Sequence, residues 1–281
     1  MAVIETLFGD EAGILRERQF RLLLLANINA ALGTVLVSPL LESLTGPFAV
    51  SDVRIGLLMT AFTAPPVLGI PLVGMLSDRY GRKPVLVVAL LLFGLSGAGV
   101  ALTTDFRVAL AMRVLQGIGY AGVTPVVITS IGDLYTGSGE ATAQGLRFTS
   151  SGAAQAVFPL VAGVLVGVAW QYPFFIYLIA IPIAVLVAVF FEETGTTDTD
   201  DRAGAKTGAE ADGGRERSRW RYVRGLATLS AQPKIAAVLF AFAMPGFLYI
   251  GFVTYNSFLV VRVLDSTPGV AGAFITVVSV V

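Results

Sequence analysis

The eleven residues GMLSDRYGRKP, Gly74 to Pro84, join two long apolar segments of the chain and hold one acid and three bases. A short loop on the inner side of a membrane protein commonly carries arginine or lysine, and a proline often opens the helix that follows. Neither tendency explains why Asp78 stands directly before Arg79, or why two glycines lie seven residues apart. An acid at this position can cap the next helix and offset its dipole. The pattern therefore indicates either a simple cap or a set of charges with a task at the membrane surface.

The composition of the chain indicates a membrane protein. Of its 281 residues 55% are apolar and only 14% are charged, whereas about a quarter of the residues of an average soluble protein are charged. Cysteine and histidine are both absent from the sequence, which excludes disulfides and thiolate metal sites and removes the commonest side-chain base. The formal net charge is zero, so that a nucleic-acid partner is not expected. No metal or cofactor is predicted.

Seven apolar segments are long enough to cross a bilayer, which requires about 20 residues in a helix. They comprise residues 21–41, 55–76, 84–103, 108–131, 147–169, 173–191 and 233–262. Because these runs are continuous and lack the alternation of a β-barrel strand, each is predicted to be a helix that satisfies its own backbone hydrogen bonds. The predicted fold class is an all-α, multi-pass membrane protein. An eighth segment, residues 269–281, is too short to span, and we expect the chain to be truncated at its C-terminus.

Lysine and arginine are distributed unevenly between the two ends of these segments. With the N-terminus placed in the cytoplasm, fifteen of the 19 bases fall on the inner side, Arg147 among them, and three fall on the outer side. Since inner loops collect positive charge, the sequence predicts a protein of the cell membrane with a cytoplasmic N-terminus. The remaining base, Arg113, lies within the fourth segment.

The order of the segments predicts four regions. They are a cytoplasmic tail at residues 1–20, a six-helix bundle at 21–191, a cytoplasmic linker at 192–232 and an incomplete second bundle at 233–281. The first part of the linker is rich in glycine, threonine and acids and is predicted to be disordered. Its last part is basic, contains Trp220 and Tyr222, and is predicted to lie at the membrane surface.

Two motifs of the chain resemble signatures of the major facilitator superfamily of transporters. The loop matches the first signature at Gly74, Leu76, Asp78, Arg79, Gly81, Arg82, Lys83 and Pro84. The stretch RVLQGIGYAG, Arg113 to Gly122, resembles a second signature in the fourth segment. The fifth segment is similar to a motif of the drug:proton antiporter branch, although Phe158 and Ala162 stand where glycines are usual. The resemblance implies two six-helix bundles of inverted 3+3 repeats, of which this chain holds the first and the start of the second.

The resemblance also implies a transport cycle in which one bundle rocks against the other. The two states of such a cycle must be close in free energy, and charges at the inner ends of the helices can set the difference between them. The fourth segment ends at GDLY, which brings Asp133 to the same face as the loop. We predict that Arg82 pairs with Asp133 and that Asp78 faces the second bundle. The residues of this predicted latch are Gly74, Asp78, Arg79, Gly81, Arg82, Lys83 and Asp133.

Arg113 is the clearest ionisable residue inside a segment, and such residues are functional candidates by default. Its spacing from Gln116, Tyr120 and Thr124 places all four on one helix face, which favours the polar lining of a central cavity. The alternative is that the long side chain reaches up to the membrane interface. The family resemblance implies a role for this arginine in proton coupling.

The first segment carries a second polar stripe. Its members are Asn27, Thr34, Ser38 and Glu42, which share one face of a regular helix. Glu42 lies at the outer end of the segment and is predicted either to be an ordinary interfacial carboxylate or to carry the transported proton. A proton carrier must titrate, and the chain has no histidine to do so.

Two weaker features concern the later segments. Tyr249 and Asn256 lie seven residues apart in the seventh segment and share a helix face, which makes them candidates for the substrate cavity. Gly163 and Gly167 form a GxxxG pattern in the fifth segment, and this pattern lets two helices approach closely.

These features predict a secondary transporter that moves a small molecule by alternating access. The partial branch motif and the mainly apolar segments favour proton-coupled efflux of drug-like or apolar compounds. Uptake of a sugar or an organic ion is one alternative, and a truncated, non-transporting remnant is another. An enzyme is not predicted, because the sequence shows no nucleophile–base pair, metal cluster or phosphate-binding glycine loop. The expected partners are a small-molecule substrate, a proton and the lipid bilayer, and the oligomeric state stays open.

Overall fold

The computed structural model describes residues 9–194 and 233–280 of the chain. The α-helices of this part are α1 (Arg18–Val35), α2 (Leu41–Phe48), α3 (Asp52–Ile55), α4 (Leu57–Tyr80), α5 (Arg82–Gly99), α6 (Phe106–Leu134), α7 (Ser138–Val166), α8 (Tyr172–Phe175), α9 (Ala180–Phe190), α10 (Pro233–Phe258) and α11 (Pro268–Val280). Short 3₁₀ turns lie at Gly9–Arg16, Ser38–Leu40, Val100–Leu102 and Ile176–Ile179, and a π-helical turn lies at Leu259–Val263.

Within the described residues, seven helical stretches are long and apolar enough to cross a membrane. They are Arg18–Phe48, Asp52–Tyr80, Arg82–Leu102, Phe106–Leu134, Ser138–Val166, Tyr172–Phe190 and Gly246–Val263. Every regular element of the described residues is helical, which confirms the predicted all-α membrane fold. Helices suit this solvent because each one satisfies its own backbone hydrogen bonds in hydrocarbon.

The chain divides into two compact units, one of Met1–Thr196 with Val253–Val281 and one of Thr197–Phe252. The described part of the second unit is a stretch of α10. The predicted linker and its surface segment, residues 192–232, lie outside the described residues except for 192–194. Residues 1–8 of the predicted tail lie outside them as well. The bounds of the four regions therefore stay a prediction.

An apolar core joins α1, α5, α6 and α9 at the end of the bundle near the motif loop. Phe20, Leu86, Val127 and Val187, one from each helix, are all 0% exposed. The Phe20 ring also packs edge-on against Tyr135, with ring centroids 5.9 Å apart. These contacts fix the helix ends that carry the charges of the loop.

Helices α4, α5 and α6 approach one another at the glycines of the second motif. A Cβ at Gly119 would lie 2.6 Å from the backbone nitrogen of Phe93 in α5, and one at Gly117 would overlap the carbonyl oxygen of Phe62 in α4. Only glycine leaves room for these backbone contacts. In lipid, apolar side chains gain little by leaving the solvent, so that close backbone packing carries much of the association between helices. The motif therefore places α6 directly against both neighbours.

The first apolar segment is interrupted, whereas the sequence predicts one continuous helix. α1 ends at Val35 and α2 begins at Leu41, with the 3₁₀ turn Ser38–Leu40 between them. Pro39 lies in this turn, and its missing N–H and fixed φ are sufficient reason for the break. The polar stripe expected from regular helical spacing therefore does not continue unbroken as far as Glu42.

Helix α7 begins earlier than its apolar segment predicts. Hydropathy places the segment at residues 147–169, but the helix runs from Ser138 to Val166. Its first turns contain Glu140 and other polar residues, which a criterion based on hydropathy excludes. Arg147 consequently lies about two and a half turns inside α7 and is only 6% exposed. Arg147, predicted as the first residue of its segment, is therefore an interior residue of α7, and the side of the membrane on which it lies stays a prediction.

Gly119→Ala is expected to destabilise the bundle, because the added methyl group would lie 2.6 Å from the backbone of α5. Overpacking of this kind costs about 1–3 kcal/mol, and the midpoint of thermal unfolding of the detergent-purified protein should fall by several degrees. Gly145→Ala is the matched control, because nothing lies within 4 Å of the Cβ position at Gly145 and alanine favours a helix. Equal midpoints for the two variants, measured by size-exclusion chromatography after heating, would contradict the close packing.

Candidate functional site

One end of the bundle carries a network of ion pairs, which we call the inner rim and define by Asp78, Arg82 and Asp133. Arg82 Nη1 donates to Asp78 Oδ1 at 2.5 Å, and Arg82 Nε donates to Asp133 Oδ2 at 3.1 Å. The side chains of Arg82 and Asp133 are 13% and 27% exposed, and that of Asp78 is 71% exposed. One guanidinium thus joins the ends of α4 and α6 to the start of α5. The pair of Arg82 with Asp133 expected from the sequence is present, and its role as a latch stays a prediction.

The turn between α4 and α5 depends on Gly81. Its φ is +97°, a conformation that glycine adopts at no steric cost. A Cβ at this position would also lie 2.6 Å from the carboxylate of Glu193. Gly74, the other motif glycine, lies inside α4, and nothing among the described residues lies within 4 Å of its Cβ position. The two glycines of the loop therefore differ in what they contribute to this geometry.

Glu193 contacts the motif loop although the sequence analysis did not identify it. Its carboxylate accepts hydrogen bonds from the backbone N–H groups of Arg82 and Lys83, the latter at 3.2 and 3.3 Å. These groups lie at the N-terminus of α5, where unpaired N–H groups and the helix dipole favour a carboxylate. Glu193 is 111 residues from Arg82 in sequence. The one signal for it is a pair of acids directly after the sixth apolar segment.

Two further contacts hold the start of α1 at the inner rim. Arg18 Nη2 donates to Glu192 Oε1 at 2.8 Å, and the Tyr135 hydroxyl donates to Glu17 Oε2 at 2.6 Å. Burial, together with the bond to Glu17, raises the pKa of Tyr135 well above its ordinary value, so that the hydroxyl stays a donor at physiological pH. The Arg18 and Glu192 side chains are 55% and 76% exposed, and such a pair contributes about 1 kcal/mol or less.

The remaining base of the motif, Arg79, has a different environment. Its guanidinium carbon lies 5.3 Å from the centroid of the Tyr80 ring, within the range of a cation–π contact. Both side chains are exposed. Arg79 therefore lies beside the ion network, and its described contact is aromatic.

Arg113 is buried where α1, α4 and α6 meet. Its Nε donates to Leu58 O at 3.1 Å, its Nη2 to Gly33 O at 3.0 Å and its Nη1 to Gln116 Oε1 at 2.6 Å. The guanidinium carbon also lies 4.5 Å from the centroid of the Phe62 ring. Since Arg113 is 0% exposed, its side chain does not reach the surface of the bundle. It ties three helices together through backbone carbonyls, and its role in proton coupling stays a prediction.

The other members of the α6 stripe become more accessible along the helix. Gln116 is 0% exposed, whereas Tyr120 and Thr124 are half-buried. The Tyr120 ring packs edge-on against Phe62, with ring centroids 5.4 Å apart. The stripe thus passes from an enclosed polar group to partly accessible side chains, an arrangement that a cavity wall would have.

Asn27 packs α1 against α7 in a polar cluster that also contains Arg147. Asn27 Nδ2 donates to Ser151 Oγ at 2.6 Å and to Arg147 O at 3.1 Å. Arg147 Nε donates to Gln144 Oε1 at 2.8 Å. Asn27 and Arg147 are 2% and 6% exposed, and these partners are all uncharged. Arg147 is therefore a second cation inside the bundle, which the sequence analysis missed because it started α7 too late.

The weaker cavity candidates are mostly engaged in packing. Ser38 Oγ donates to a backbone carbonyl of α10, and Asn256 Nδ2 donates to a backbone carbonyl of α11 at 2.8 Å. The two residues are 0% and 2% exposed. Thr34 is part of α1, and Tyr249 is half-buried on α10 in the second unit. Ser38 and Asn256 are therefore buried packing contacts rather than parts of an open polar site.

Glu42 lies at the end of the bundle opposite the inner rim. Its Oε1 accepts a hydrogen bond from Arg262 Nε at 3.3 Å, and its side chain is 22% exposed. The two residues are 220 positions apart in the sequence. Glu42 is thus a partly covered, ion-paired carboxylate, which the sequence alone could not distinguish from an isolated interfacial acid.

The membrane region as a whole matches one family of proteins. A family model described as the Major Facilitator Superfamily matches residues 23–281. The chain belongs to the Major Facilitator Superfamily. The resemblance expected from the loop motif and from the α6 motif is thereby confirmed.

Known members of the superfamily are similar to this chain over different lengths. It is 32% identical over 150 residues to the bacillibactin exporter of Bacillus subtilis (strain 168), covering 51% of this chain and 37% of that protein. The fold resembles a D-xylose–proton symporter, with a TM-score of 0.67 and 15% identity over 94% of this chain and 65% of the symporter. It also resembles a bacterial homologue of the human lysosomal transporter Spinster in an inward-facing, unoccupied conformation, with a TM-score of 0.68 and 18% identity over 96% of this chain and 59% of that one. The chain spans less than two thirds of the length of each of these relatives.

Glu193→Ala is expected to loosen the inner rim of this superfamily member, because it removes the acceptor for two backbone N–H groups of α5. Loss of a helix cap costs about 0.5–2 kcal/mol, and the midpoint of thermal unfolding should fall by a few degrees. Glu192→Ala removes a neighbouring acid whose pair with Arg18 is exposed, and it should have the smaller effect. A midpoint lowered equally by both changes would show that the capping bonds to α5 add nothing.

Proposed function

We propose that this superfamily member is a secondary transporter that exports a small organic compound by alternating access, driven by proton entry. The observation that carries the proposal is the three-way ion network of the inner rim, in which Arg82 joins the end of α4 to the end of α6. Because all three residues lie in the first bundle, the network can favour one state of a rocking cycle if a group of the second bundle competes for one of its charges. The family membership supports the same cycle.

The strengths of the two ion pairs suit a latch that must open. Arg82 and Asp133 are mostly covered, at 13% and 27% side-chain exposure, so that separating them leaves charge poorly compensated. Asp78 is 71% exposed, and its pair with Arg82 contributes about 1 kcal/mol or less. Because the pair with Asp133 is the stronger one, Arg82 can release Asp78 while it stays bound to Asp133. We propose that Asp78 exchanges its partner during the cycle.

The proposed direction of transport rests on the similarity to one exporter. The Bacillus subtilis relative is an exporter, and this supports export by the present chain. The likeness to a D-xylose–proton symporter, at 15% identity, concerns the fold and does not favour uptake of a sugar. The half-buried Tyr120 ring beside Phe62 supports a substrate with a large apolar surface.

Glu42 and Arg113 are the proposed elements of proton coupling. Glu42 is partly covered and paired with Arg262, so that protonation would release one partner of that arginine. Arg113 is a fixed cation inside the bundle whose hydrogen-bond partners are a glutamine and two backbone carbonyls. A charge held in this way changes the cost of placing a second cation near it. We propose that Glu42 carries the proton and that the charge of Arg113 changes the free energy of moving this proton.

Transport into everted membrane vesicles tests this proposal. Vesicles from cells that express the full reading frame are expected to accumulate a compound from a panel of apolar and drug-like molecules when their interior is acidic. A protonophore should abolish accumulation, and Glu42→Gln should remove its dependence on the pH gradient. Arg107→Gln, an exposed base at the start of α6, is the control and should transport normally. Accumulation that persists without a gradient would refute proton coupling, and no accumulation of any compound would refute export of this class.

Asp78→Asn is expected to slow transport severalfold and to change the ratio of inward-open to outward-open protein, because it removes the weaker partner of Arg82. The ratio can be measured from the distance between two spin labels placed across the inner end. Glu140→Gln, an acid near the inner end but outside the network, is the control. An unchanged ratio and an unchanged rate in Asp78→Asn would remove this residue from the latch.

A further inference from the structure

The end of the bundle opposite the inner rim is held by a second set of charges, which we call the outer clasp: Arg262, Glu42 and Asp52. Arg262 Nε donates to Glu42 Oε1 at 3.3 Å, and Arg262 Nη1 donates to Asp52 Oδ2. Glu42 lies in α2 and Asp52 begins α3, whereas Arg262 follows α10. One guanidinium therefore joins the first two membrane segments to the seventh. The inner rim differs in this respect, because all three of its residues lie in α4, α5 and α6.

The backbone that carries Arg262 departs from a regular helix. Leu259–Val263 forms a π-helical turn, a rare element that is found mostly at functional sites. Shortly after it, Asp265 has a φ of +49°, a conformation that is uncommon for a residue with a side chain. Local strain of this kind persists where surrounding contacts compensate for it. Contacts of this stretch include the two carboxylates that bind Arg262 and a hydrogen bond from the Ser266 N–H to Val260 O at 3.1 Å.

Neutral contacts beneath the clasp close the same end of the bundle. Ser257 Oγ donates to a backbone carbonyl in the turn between α1 and α2 at 3.0 Å, and Ser38 Oγ donates to a backbone carbonyl of α10. Both serines are 0% exposed. A Cβ at Gly163 in α7 would lie 2.8 Å from Gly269 Cα in α11, so that these two backbones touch directly. Gly163 thus makes the close approach expected of the GxxxG pattern, whereas the Cβ position of Gly167 lies near Val164 O of its own segment and not near another helix.

We infer that the outer clasp is the gate of the outer end, which opens when Arg262 leaves both carboxylates. This inference rests on the proposed alternating-access function. The contacts that cross from α10, the π-helical turn and α11 to the earlier helices must break if that end opens, and the two pairs of the clasp belong to these contacts. Opening then exposes Ser38 and Ser257, which are buried in the closed end.

The exposure of the clasp fits a gate that opens and closes repeatedly. The side chains of Arg262, Glu42 and Asp52 are 46%, 22% and 43% exposed, so that water can replace each partner as the clasp separates. Exposed ion pairs of this type each shift an equilibrium by about fivefold at most. Loss of the arginine is therefore expected to raise the open population without unfolding the bundle.

Labelling of one introduced cysteine tests the gate directly, because the chain contains no cysteine of its own. Ser257→Cys places a thiol where the closed end buries the serine side chain. Intact cells that express the full reading frame are treated with a membrane-impermeant maleimide, and the initial labelling rate is measured. Arg262→Gln, and separately the double change Glu42→Gln with Asp52→Asn, should each raise the rate about three- to tenfold. Arg262→Lys keeps the charge but not the two-pronged geometry and should give an intermediate rate.

Two controls separate gating from a general loosening of the protein. Arg107→Gln removes an exposed base at the same end and should leave the rate unchanged. Thr104→Cys, an exposed position at that end, should label equally fast in every background. Ser38→Cys is the second reporter if Ser257→Cys does not fold. Equal rates with and without Arg262, or fast labelling of either buried reporter in the unaltered background, would overturn the gate. Because labelling needs no substrate, a failed transport assay leaves this result interpretable.

Discussion

A guanidinium that reaches no water holds three helices of this bundle in place. Arg113 is completely buried, and two of its three hydrogen bonds go to backbone carbonyls at Leu58 and Gly33. A charge of this kind is costly in hydrocarbon, so that α1 and α4 must stay where they can supply those carbonyls. Most carbonyls of a regular helix already accept a backbone hydrogen bond. The close approach of Gly117 to the backbone of α4 brings Arg113 within hydrogen-bonding distance of Leu58 O. The close packing of α6 and the hydrogen bonds of Arg113 therefore depend on each other.

The same cost explains where the other charges lie. Arg82 and Arg262, at the two ends of the bundle, each bind two carboxylates and remain in partial contact with solvent. Neither is buried as deeply as Arg113, and pairs of this kind can be exchanged for water at modest cost. The proposed transport cycle needs contacts that persist in both states and contacts at the helix ends that can be exchanged. The distribution of burial among the three arginines meets that requirement.

The inner rim also involves the segment that follows the sixth membrane-crossing helix. Glu193 caps α5 through its backbone N–H groups, while Glu192 pairs with Arg18 at the start of α1. The end of the six-helix bundle is thus attached to the loop that carries the superfamily motif.

Much of this protein follows from local sequence alone. The long apolar runs determine a set of membrane helices because backbone groups in lipid must satisfy one another, and the spacing of the loop motif was enough to expect the pair of Arg82 with Asp133. Hydropathy could not show that Arg147 lies inside a helix, because the first turns of α7 are polar. The tertiary structure alone decided that Glu193 would meet α5 and that Arg262 would meet Glu42, since these partners are 111 and 220 residues apart. Long-range pairings depend on which helix ends the packing brings together, and no local pattern of residues records that.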